Sequence, residues 1–182
     1  MKIYEVIPNS DVFDALYCLD DNGYRLISRF FGYYPYHEDK TPKVWKPITV
    51  KIDPRHKKGD FPSLCPFFVF SSRVREVLQP LLGNNVDFLS LKLESDLEQY
   101  AIAKIKERTD CLDYSRAEFK RFPSSGRVMR VLKYAFKKGS LDSKNFFNIP
   151  EATARFFVSE KFKECIESNN LEGLIFREVY SE

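Results

Sequence analysis

Few side chains in this sequence are placed where they could carry out catalysis. His37 and His56 are the only histidines, and neither belongs to a motif in which a base activates a serine, cysteine or threonine. The sequence contains no GxSxG, Walker, GxGxxG or HExxH motif. Its adjacent acidic pairs lie in segments with the composition of turns, loops and bends. We therefore predict that the protein is not an enzyme; a small hydrolase would need His37 or His56 in a cleft with an ordered partner.

The four cysteines match no metal or disulfide pattern. They are spaced 47, 46 and 54 residues apart, with no CxxC pair and no histidine nearby. Disulfides are typical of small secreted domains, and this chain is neither short nor marked for secretion. We predict no metal ion, no cofactor and four buried, reduced thiols, at Cys18, Cys65, Cys111 and Cys165.

Residues 120–138 carry seven basic side chains and no acidic one. Arg121 and Arg127 flank a Pro/Ser/Gly turn, and a strand follows in which one face is apolar, with Val128, Leu132, Tyr134 and Phe136. The basic side chains of the opposite face would bind a phosphate backbone or an acidic protein surface. The alternative is a solvated edge strand, because edge strands commonly carry lysine to discourage aggregation.

Residues 32–42 contain three tyrosines and two prolines, and we predict that they form a loop, called the tyrosine loop below. Tyrosine often anchors protein interfaces, because it combines a large rigid ring with a hydrogen-bonding tip. The alternative is that these rings cover an open end of the core. As a hypothesis, the partner-binding residues are Tyr33, Tyr34, Tyr36 and His37, together with Arg121 and Arg127.

These candidate residues must be positioned by the surrounding elements, of which residues 155–179 are the clearest. A short apolar strand is followed by Ser159 as an N-cap, a helix with apolar residues at i, i+3 and i+4, a turn through Gly173 and a second apolar strand. Residues 68–91 show the same order, with Ser71 at the position of Ser159 after a shift of 88 residues. The chain thus contains two related strand-helix-strand units, unless two Ser-capped amphipathic helices resemble each other by chance.

The remaining elements are predicted from propensity and alternation. We expect strands at 2–7, 24–31 and 48–52 and from about residue 100, a helical turn through Val12, Phe13 and Leu16, a turn at 20–23 and a loop at 141–150. The predicted fold class is α+β, with a mixed or antiparallel sheet and a few short helices.

Length and charge limit the organisation of the chain. With 182 residues, 43% hydrophobic, we predict a single domain over residues 1–182, with possible halves 1–93 and 94–182. The net charge of +3 is spread over both halves, which argues against a global field for nucleic acid or membrane. The N-terminus has no signal-peptide pattern and no apolar stretch is long enough for a membrane span, so we expect a cytoplasmic protein.

The order of the motifs resembles a known family. MKIYEVIP, WKPITVKI, GDFPSL, FVFSSRVREVL, CLDYS, RFPSSGRVMRVLKYAF and FFVSEKFKECIESNNLEGLIF occur in that order and cover nearly the whole chain. The set is similar to the immunity proteins of bacterial polymorphic toxin systems, specifically the eleventh immunity family, long filed as a domain of unknown function. The sequence departs from the family pattern in residues 30–41 and 101–106.

The resemblance implies a small cytoplasmic α+β protein that is encoded beside a toxin and protects the producing cell by binding that toxin. Neutralisation would occur by occlusion of the toxin's active or binding site rather than by chemistry. Specificity for one toxin is expected in stretches that depart from the family pattern, which include the tyrosine loop. The alternative function is a nucleic-acid-binding module that uses residues 120–138.

Overall fold

The computed structural model describes residues 1–31, 44–53, 56–94 and 99–181. Within these ranges the chain forms three α-helices and twelve strands, which confirms the predicted α+β class with mixed and antiparallel sheets. The helices are α1 (Asp21–Phe30), α2 (Ser72–Leu82) and α3 (Glu160–Ser168). The strands are β1 (Lys2–Pro8), β2 (Leu16–Cys18), β3 (Ile48–Ile52), β4 (Ser63–Leu64), β5 (Phe67–Ser71), β6 (Val86–Leu93), β7 (Tyr100–Ile105), β8 (Glu118–Arg121), β9 (Val128–Lys133), β10 (Phe146–Ile149), β11 (Ala152–Ser159) and β12 (Leu174–Ser181).

These strands form two large sheets and one hairpin. The six-stranded sheet has the order β2-β3-β6-β7-β5-β4 and is antiparallel except between β3 and β6. The four-stranded sheet is antiparallel, with the order β10-β11-β1-β12. Strands β8 and β9 form a separate antiparallel hairpin.

Both predicted strand-helix-strand units are present, as β5-α2-β6 and β11-α3-β12. Each helix begins at the predicted cap: the Ser71 hydroxyl accepts a hydrogen bond from the Val74 N–H at 3.2 Å, and the Ser159 hydroxyl accepts one from the Phe162 N–H at 3.3 Å. In each unit the two strands are parallel but not adjacent. A third strand lies antiparallel between them, β7 in the first unit and β1 in the second.

The inserted strands link the two predicted halves of the chain. Strand β7 comes after residue 93 but completes the unit that precedes it, whereas β1 comes from the N-terminus and completes the unit at the C-terminus. Each half therefore supplies a strand to the sheet of the other. The first half cannot complete its sheet without β7, and the second cannot complete its sheet without β1.

The largest apolar cluster joins the two large sheets. It contains residues from β5 on one side, from β1, β10 and β11 on the other, and from the buried faces of α2 and α3. The ring of Phe68 lies 5.0 Å from that of Phe156 and 5.5 Å from that of Phe146, measured between centroids. The ring of Phe70 lies 5.7 Å from that of Phe146. The aromatic residues of the sequence are thus concentrated between the sheets, where each buries a large apolar area.

Each large sheet also has a second apolar face. Ile27 of α1 packs against the far face of the six-stranded sheet, in a cluster with Val50, Val69 and Ile102. The far face of the four-stranded sheet is covered by the segment from Cys111 to Leu141, which includes the hairpin. Strand β5 is buried at every position, because its two faces belong to two different clusters.

The strand predicted at residues 24–31 is wrong. Residues 24–30 belong to α1, and Phe31 is its C-cap. The N-cap of α1 is Asp20, whose carboxylate accepts a hydrogen bond from the Gly23 N–H at 2.8 Å. Tyr24, Ile27 and Phe31 recur at i, i+3 and i+7, a helical period that their high β-propensity obscured. The predicted turn at 20–23 is therefore the beginning of this helix.

Two other segments also differ from their predictions. The predicted helical turn ends early: the Phe13 N–H donates to the Asn9 carbonyl at 2.9 Å, but Leu16 already lies in β2 and pairs with Ile52. The predicted loop at 141–150 contains β10, in which Phe146 and Phe147 bury their rings on opposite faces of the sheet. In both segments, pairing with a distant strand determined the local conformation.

All four cysteines lie within the described residues and are free thiols. Cys111 is fully buried, and its pKa is raised to about 12. The main cause is burial, and the nearby Glu151 and Asp110 carboxylates add to it. Cys65 is exposed, so the prediction of a buried thiol is wrong at that position. It precedes Pro66 in the turn between β4 and β5, where the chain reverses at the surface.

If the chain is one domain, as the sequence predicts, Phe68→Ala should destabilise both sheets together. Truncating a phenylalanine in a packed core costs about 3–5 kcal/mol. The fluorescence of Trp45, which reports on the six-stranded sheet, and far-UV circular dichroism should give coincident urea transitions, both displaced to lower urea. Phe122→Ala, at a phenylalanine 45% exposed in the hairpin turn, is the control and should change the free energy of unfolding by less than about 0.5 kcal/mol. Separate transitions for the two probes would contradict the single-domain prediction.

Candidate binding surface

The β8-β9 hairpin covers the far face of the four-stranded sheet and presents its other face to solvent. Phe119 and Val131 are a cross-strand pair on the covered face, where they pack with Phe147 and Phe157. The hairpin is therefore held to the sheet by apolar burial rather than by strand pairing. Its outer face remains available for a partner.

The base of the hairpin is fixed by polar contacts. Arg116 donates from Nε to the Asp113 carboxylate at 2.7 Å and from Nη2 to the Phe136 carbonyl at 2.8 Å. The pKa of Asp113 is lowered to about 2, mainly by the hydrogen bond that it accepts from the Ser115 hydroxyl and also by the one from Arg116. Tyr114 stacks on Phe119 with 5.0 Å between ring centroids, and its hydroxyl donates to Glu151. That hydrogen bond is the main cause that raises the pKa of Tyr114 to about 12.

Two β-bulges place apolar side chains on the outer face. Between Val128, which pairs with Arg121, and Arg130, which pairs with Lys120, strand β9 has one extra residue, Met129. Between Val131 and Lys133 it has a second extra residue, Leu132. A bulge redirects the side chain of its extra residue. Met129 and Leu132 are accordingly 41% and 51% exposed, and the prediction that Leu132 shares the buried face is wrong.

Basic side chains surround these apolar residues. Of the partner-binding residues predicted from the sequence, Arg121 and Arg127 lie within the described ranges, and their surroundings differ. Arg121 donates from Nη1 to the Gly126 carbonyl at 2.9 Å and lies 5.1 Å from the centroid of the Phe119 ring, so it also fixes the turn. Arg127 is exposed at the tip. Among the described residues, the side chains of Arg127, Lys120 and Arg130 form no ion pair, whereas Lys133 lies 3.7 Å from Glu118.

A groove runs between the hairpin and the edge strand β12. Two adjoining cavities of about 480 and 410 Å³ lie along it and share Lys133, Tyr134, Glu178 and Val179 in their walls. Three arginines border the second cavity, one each from β9, β11 and β12: Arg130, Arg155 and Arg177. The groove therefore continues the basic character of the hairpin onto the sheet.

Glu5 lies at the floor of this groove and is only 5% exposed. Arg155 donates to one of its carboxylate oxygens at 2.8 Å, and Arg177 approaches the other at 3.7 Å. Tyr134 is buried beside Arg155, and its burial is the main cause that raises its pKa. The lining of the second cavity contains two carboxylates, Glu5 and Glu178, against four cations, Arg130, Lys133, Arg155 and Arg177. This end of the groove therefore has a net positive charge.

Comparison with known proteins identifies this chain. The model of the immunity protein family (Imm11) matches residues 12–181. The chain belongs to this immunity protein family. A search of curated proteins found no match to the sequence.

The remaining candidates from the sequence are the tyrosine loop and the histidines. Tyr33, Tyr34, Tyr36 and His37 lie outside the described residues. His56 is exposed, and the described part of the chain contains no group of three His, Cys, Asp or Glu side chains that could hold a metal ion. None of the helices in the described ranges has the length and apolar character needed to cross a membrane.

Sequence reasoning missed the Glu5 cluster and the two bulges. The position of Glu5 could have indicated the cluster, because it is a glutamate inside an otherwise apolar strand. A glutamate in such a place is rarely buried unless it is paired with a cation. Its partners were not detectable, since Arg155 and Arg177 lie about 150 and 170 positions further along the chain. The bulges in the immunity protein break the two-residue period, so alternation assigned Leu132 to the wrong face.

The Glu5–Arg155 pair should be coupled, whereas the Glu118–Lys133 pair should not. In a double-mutant cycle with Glu5→Gln and Arg155→Met, we expect a coupling energy above about 1 kcal/mol, because removing one partner leaves the other charge poorly compensated. The control cycle, Glu118→Gln with Lys133→Met, involves side chains 63% and 67% exposed and should give less than about 0.5 kcal/mol. Urea unfolding of the wild type and the six variants measures both values, and equal coupling energies would show that Glu5 has no special role.

Proposed function

We propose that this protein neutralises a cognate bacterial toxin, encoded nearby, by binding it in the cytoplasm and occluding its active or binding site. Membership of the immunity protein family supports a role in toxin immunity. The observation that carries the proposed binding site is the outer face of the β8-β9 hairpin. Exposed apolar side chains lie there among exposed cations, on a hairpin whose other face is packed against the four-stranded sheet.

The chemistry of this surface favours a particular kind of partner. Arginine and methionine are enriched in protein interfaces, and aromatic and arginine residues most often dominate their binding energy. Phe122, Met129 and Leu132 would enter apolar recesses of the toxin. Arg127 and Arg130 would face carboxylates at the rim. The partner surface is therefore acidic, with shallow apolar pockets.

To occlude a site on the toxin, the protein needs a large contact area and no catalytic group. A specific protein interface buries roughly 1,600 Å² in total. The hairpin and the adjoining groove beside β12 together offer a ridge and a concave flank, and the end of the groove lined by Arg130, Arg155 and Arg177 is basic. A toxin segment with acidic residues would extend along the groove towards Arg177, while the hairpin blocks its functional cleft.

Nucleic acid is the alternative partner, because the same cations could contact phosphates. Phosphate-backbone binding, however, depends on cations and is insensitive to apolar side chains between them. On this hairpin three exposed apolar residues, Phe122, Met129 and Leu132, alternate with the basic ones. That arrangement favours a protein partner.

Two hairpin variants separate the two partners. Phe122→Ser/Met129→Ser/Leu132→Ser removes the apolar anchors and keeps the cations, whereas Lys120→Gln/Arg127→Gln/Arg130→Gln does the reverse. With the toxin from the neighbouring gene, we expect the first variant to weaken binding at least about 100-fold and the second about 10-fold, because buried apolar anchors contribute more than rim charges. Calorimetry measures affinity, and co-expression measures relief of toxicity.

Matched controls alter equally exposed residues elsewhere. Tyr17→Ser/Leu19→Ser changes apolar side chains that are 48% and 46% exposed, and Lys46→Gln/Lys92→Gln/Lys161→Gln removes three distant cations. Both controls should keep full affinity for the toxin.

A different outcome would replace the immunity proposal with the nucleic-acid function. In that case the protein binds nucleic acid instead of the toxin, the charge variant and modest salt abolish this binding, and the apolar variant leaves it unchanged.

The tyrosine loop is proposed as a second part of the toxin-binding surface. Tyr33→Ala/Tyr34→Ala/Tyr36→Ala/His37→Ala should weaken toxin binding at least about 10-fold, if the aromatic rings are anchors. The free energy of unfolding, measured in urea, checks that the fold is retained. Unchanged affinity in the folded variant would remove the loop from the binding site.

A further inference from the structure

β12 is the longest of the edge strands in the two large sheets. These sheets end in four strands within the described residues, and three of them are short: β2 has three residues, β4 has two and β10 has four. β12 has eight residues and contains neither proline nor glycine. Natural proteins usually shorten or block their sheet edges, because an open edge accepts a strand from another chain. The length of β12 therefore indicates that its outer edge is used.

The hydrogen-bond pattern between β1 and β12 shows which backbone groups point outwards. The Asn9 N–H donates to the Gly173 carbonyl at 2.9 Å, so these two residues are a hydrogen-bonded pair. Hydrogen-bonded and non-hydrogen-bonded pairs alternate along an antiparallel ladder. The next pair contains Pro8 and is thus non-hydrogen-bonded, which agrees with the missing N–H of proline. By the same alternation, the N–H and C=O groups of Phe176 and Glu178 point away from β1.

These outward groups have no backbone partner within the described residues. In that part of the chain β1 is the only strand that pairs with β12, and residues 174–179 form no backbone hydrogen bond outside this pairing. Glu178 is exposed and Phe176 is half-buried. The backbone groups of both residues are therefore available to a further strand.

The first strand-helix-strand unit shows what such an edge can accept. A shift of 88 residues places β6 on β12 residue for residue, and each of these strands follows the helix of its unit. The edge of β6 that corresponds to the outer edge of β12 pairs with β3. Among the described residues, no strand holds this position beside β12, and the chain before β10 forms the β8-β9 hairpin on the face of the sheet instead. The four-stranded sheet therefore has a vacant position that is filled in the six-stranded sheet.

The surroundings of this edge indicate the character of an incoming strand. Arg177 pairs across the strands with Glu5 and shares its face of the sheet, which borders the basic end of the groove. Phe176 lies on the opposite face, where it packs against the largest apolar cluster with its ring 6.2 Å from that of Tyr4. A strand beside β12 would continue both faces, because successive side chains point to opposite faces. Its acidic residues would face the groove, and the apolar residues between them would face Phe176.

We propose that a segment of the toxin adds to the four-stranded sheet as a strand beside β12, with acidic side chains alternating with apolar ones. Strand addition gains affinity from main-chain hydrogen bonds and specificity from the alternate side chains. This inference rests on the proposed toxin binding and specifies how the toxin contacts the groove beside the hairpin. A second copy of the chain is the alternative occupant, but its β12 carries one arginine and one glutamate and so brings no net negative charge to the cations of the groove.

Two substitutions at one position separate the backbone of β12 from its side chains. Glu178→Pro and Glu178→Ala both remove the carboxylate, but only Glu178→Pro removes the outward N–H. In calorimetry with the toxin from the neighbouring gene, Glu178→Pro should bind at least about 10-fold more weakly than Glu178→Ala, because a main-chain hydrogen bond is lost. Glu178→Ala should bind at least as tightly as the wild type, because it removes a negative charge from an edge that receives an acidic strand. Urea unfolding checks that both variants are folded.

Hydrogen exchange of the wild-type protein, followed by NMR, tests the same pairing without a substitution. In the free protein the amide protons of Phe176 and Glu178 should exchange rapidly. The toxin should slow their exchange at least about 10-fold, because they then donate to its strand. The Arg177 amide, which points towards β1, is the internal control and should be protected in both states. If Glu178→Pro does not fold, this measurement decides alone.

The outcomes distinguish this inference from the proposed function. Toxin binding that is equal in folded Glu178→Pro and Glu178→Ala, or that adds no protection at Phe176 and Glu178, would overturn strand addition and leave the immunity proposal in place. Equal loss of affinity in both variants would show a side-chain contact and overturn it as well. Protection of both amides without toxin, in a free protein that sediments as a dimer, would assign the edge to a second copy. No binding of the toxin by the wild-type protein would overturn both proposals.

Discussion

The packing of Phe68 and Phe70 of β5 against Phe146 and Phe156 is the contact on which the rest of the structure depends. It joins the six-stranded sheet to the four-stranded sheet, and α2 and α3 add their apolar faces to the same cluster. Since β5 is also buried on its other face, a one-residue change of register would exchange the side chains of two packed clusters. The position of each sheet is thereby fixed relative to the other.

That contact is reinforced by the way in which the two strand-helix-strand units are completed. Each unit leaves a gap between its parallel strands, and the gap is filled by a strand from the other half of the chain. Parallel strands need a crossover connection, and α2 and α3 provide it in the two units. The asymmetry between the units lies in the inserted strand: β7 follows its unit along the chain, whereas β1 is the first strand of the protein.

The surface features follow from this rigid frame. The hairpin lies on the four-stranded sheet through Phe119 and Val131, so its outer face is held without being buried. Two bulges then place Met129 and Leu132 among arginines and lysines, and Glu5 holds two arginines at the adjoining groove. A surface of this kind is suited to recognition, because its backbone is already ordered before a partner binds. It agrees with the membership of the chain in an immunity protein family.

The sequence by itself determined the local elements whose signals are contained in a few consecutive residues. Ser71 and Ser159 predict the N-termini of α2 and α3, the alternation around Val50 predicts β3, and the motif order indicates the family. The basic character of residues 120–138 was also readable. Tertiary structure decided what depends on distant partners: α1 is helical because Ile27 and its neighbours face the sheet, and β10 is a strand because β11 pairs with it. It also decided that Leu132 is exposed and that Glu5 meets Arg155, because bulges and cross-sheet ion pairs arise from pairing between segments, which no local pattern encodes.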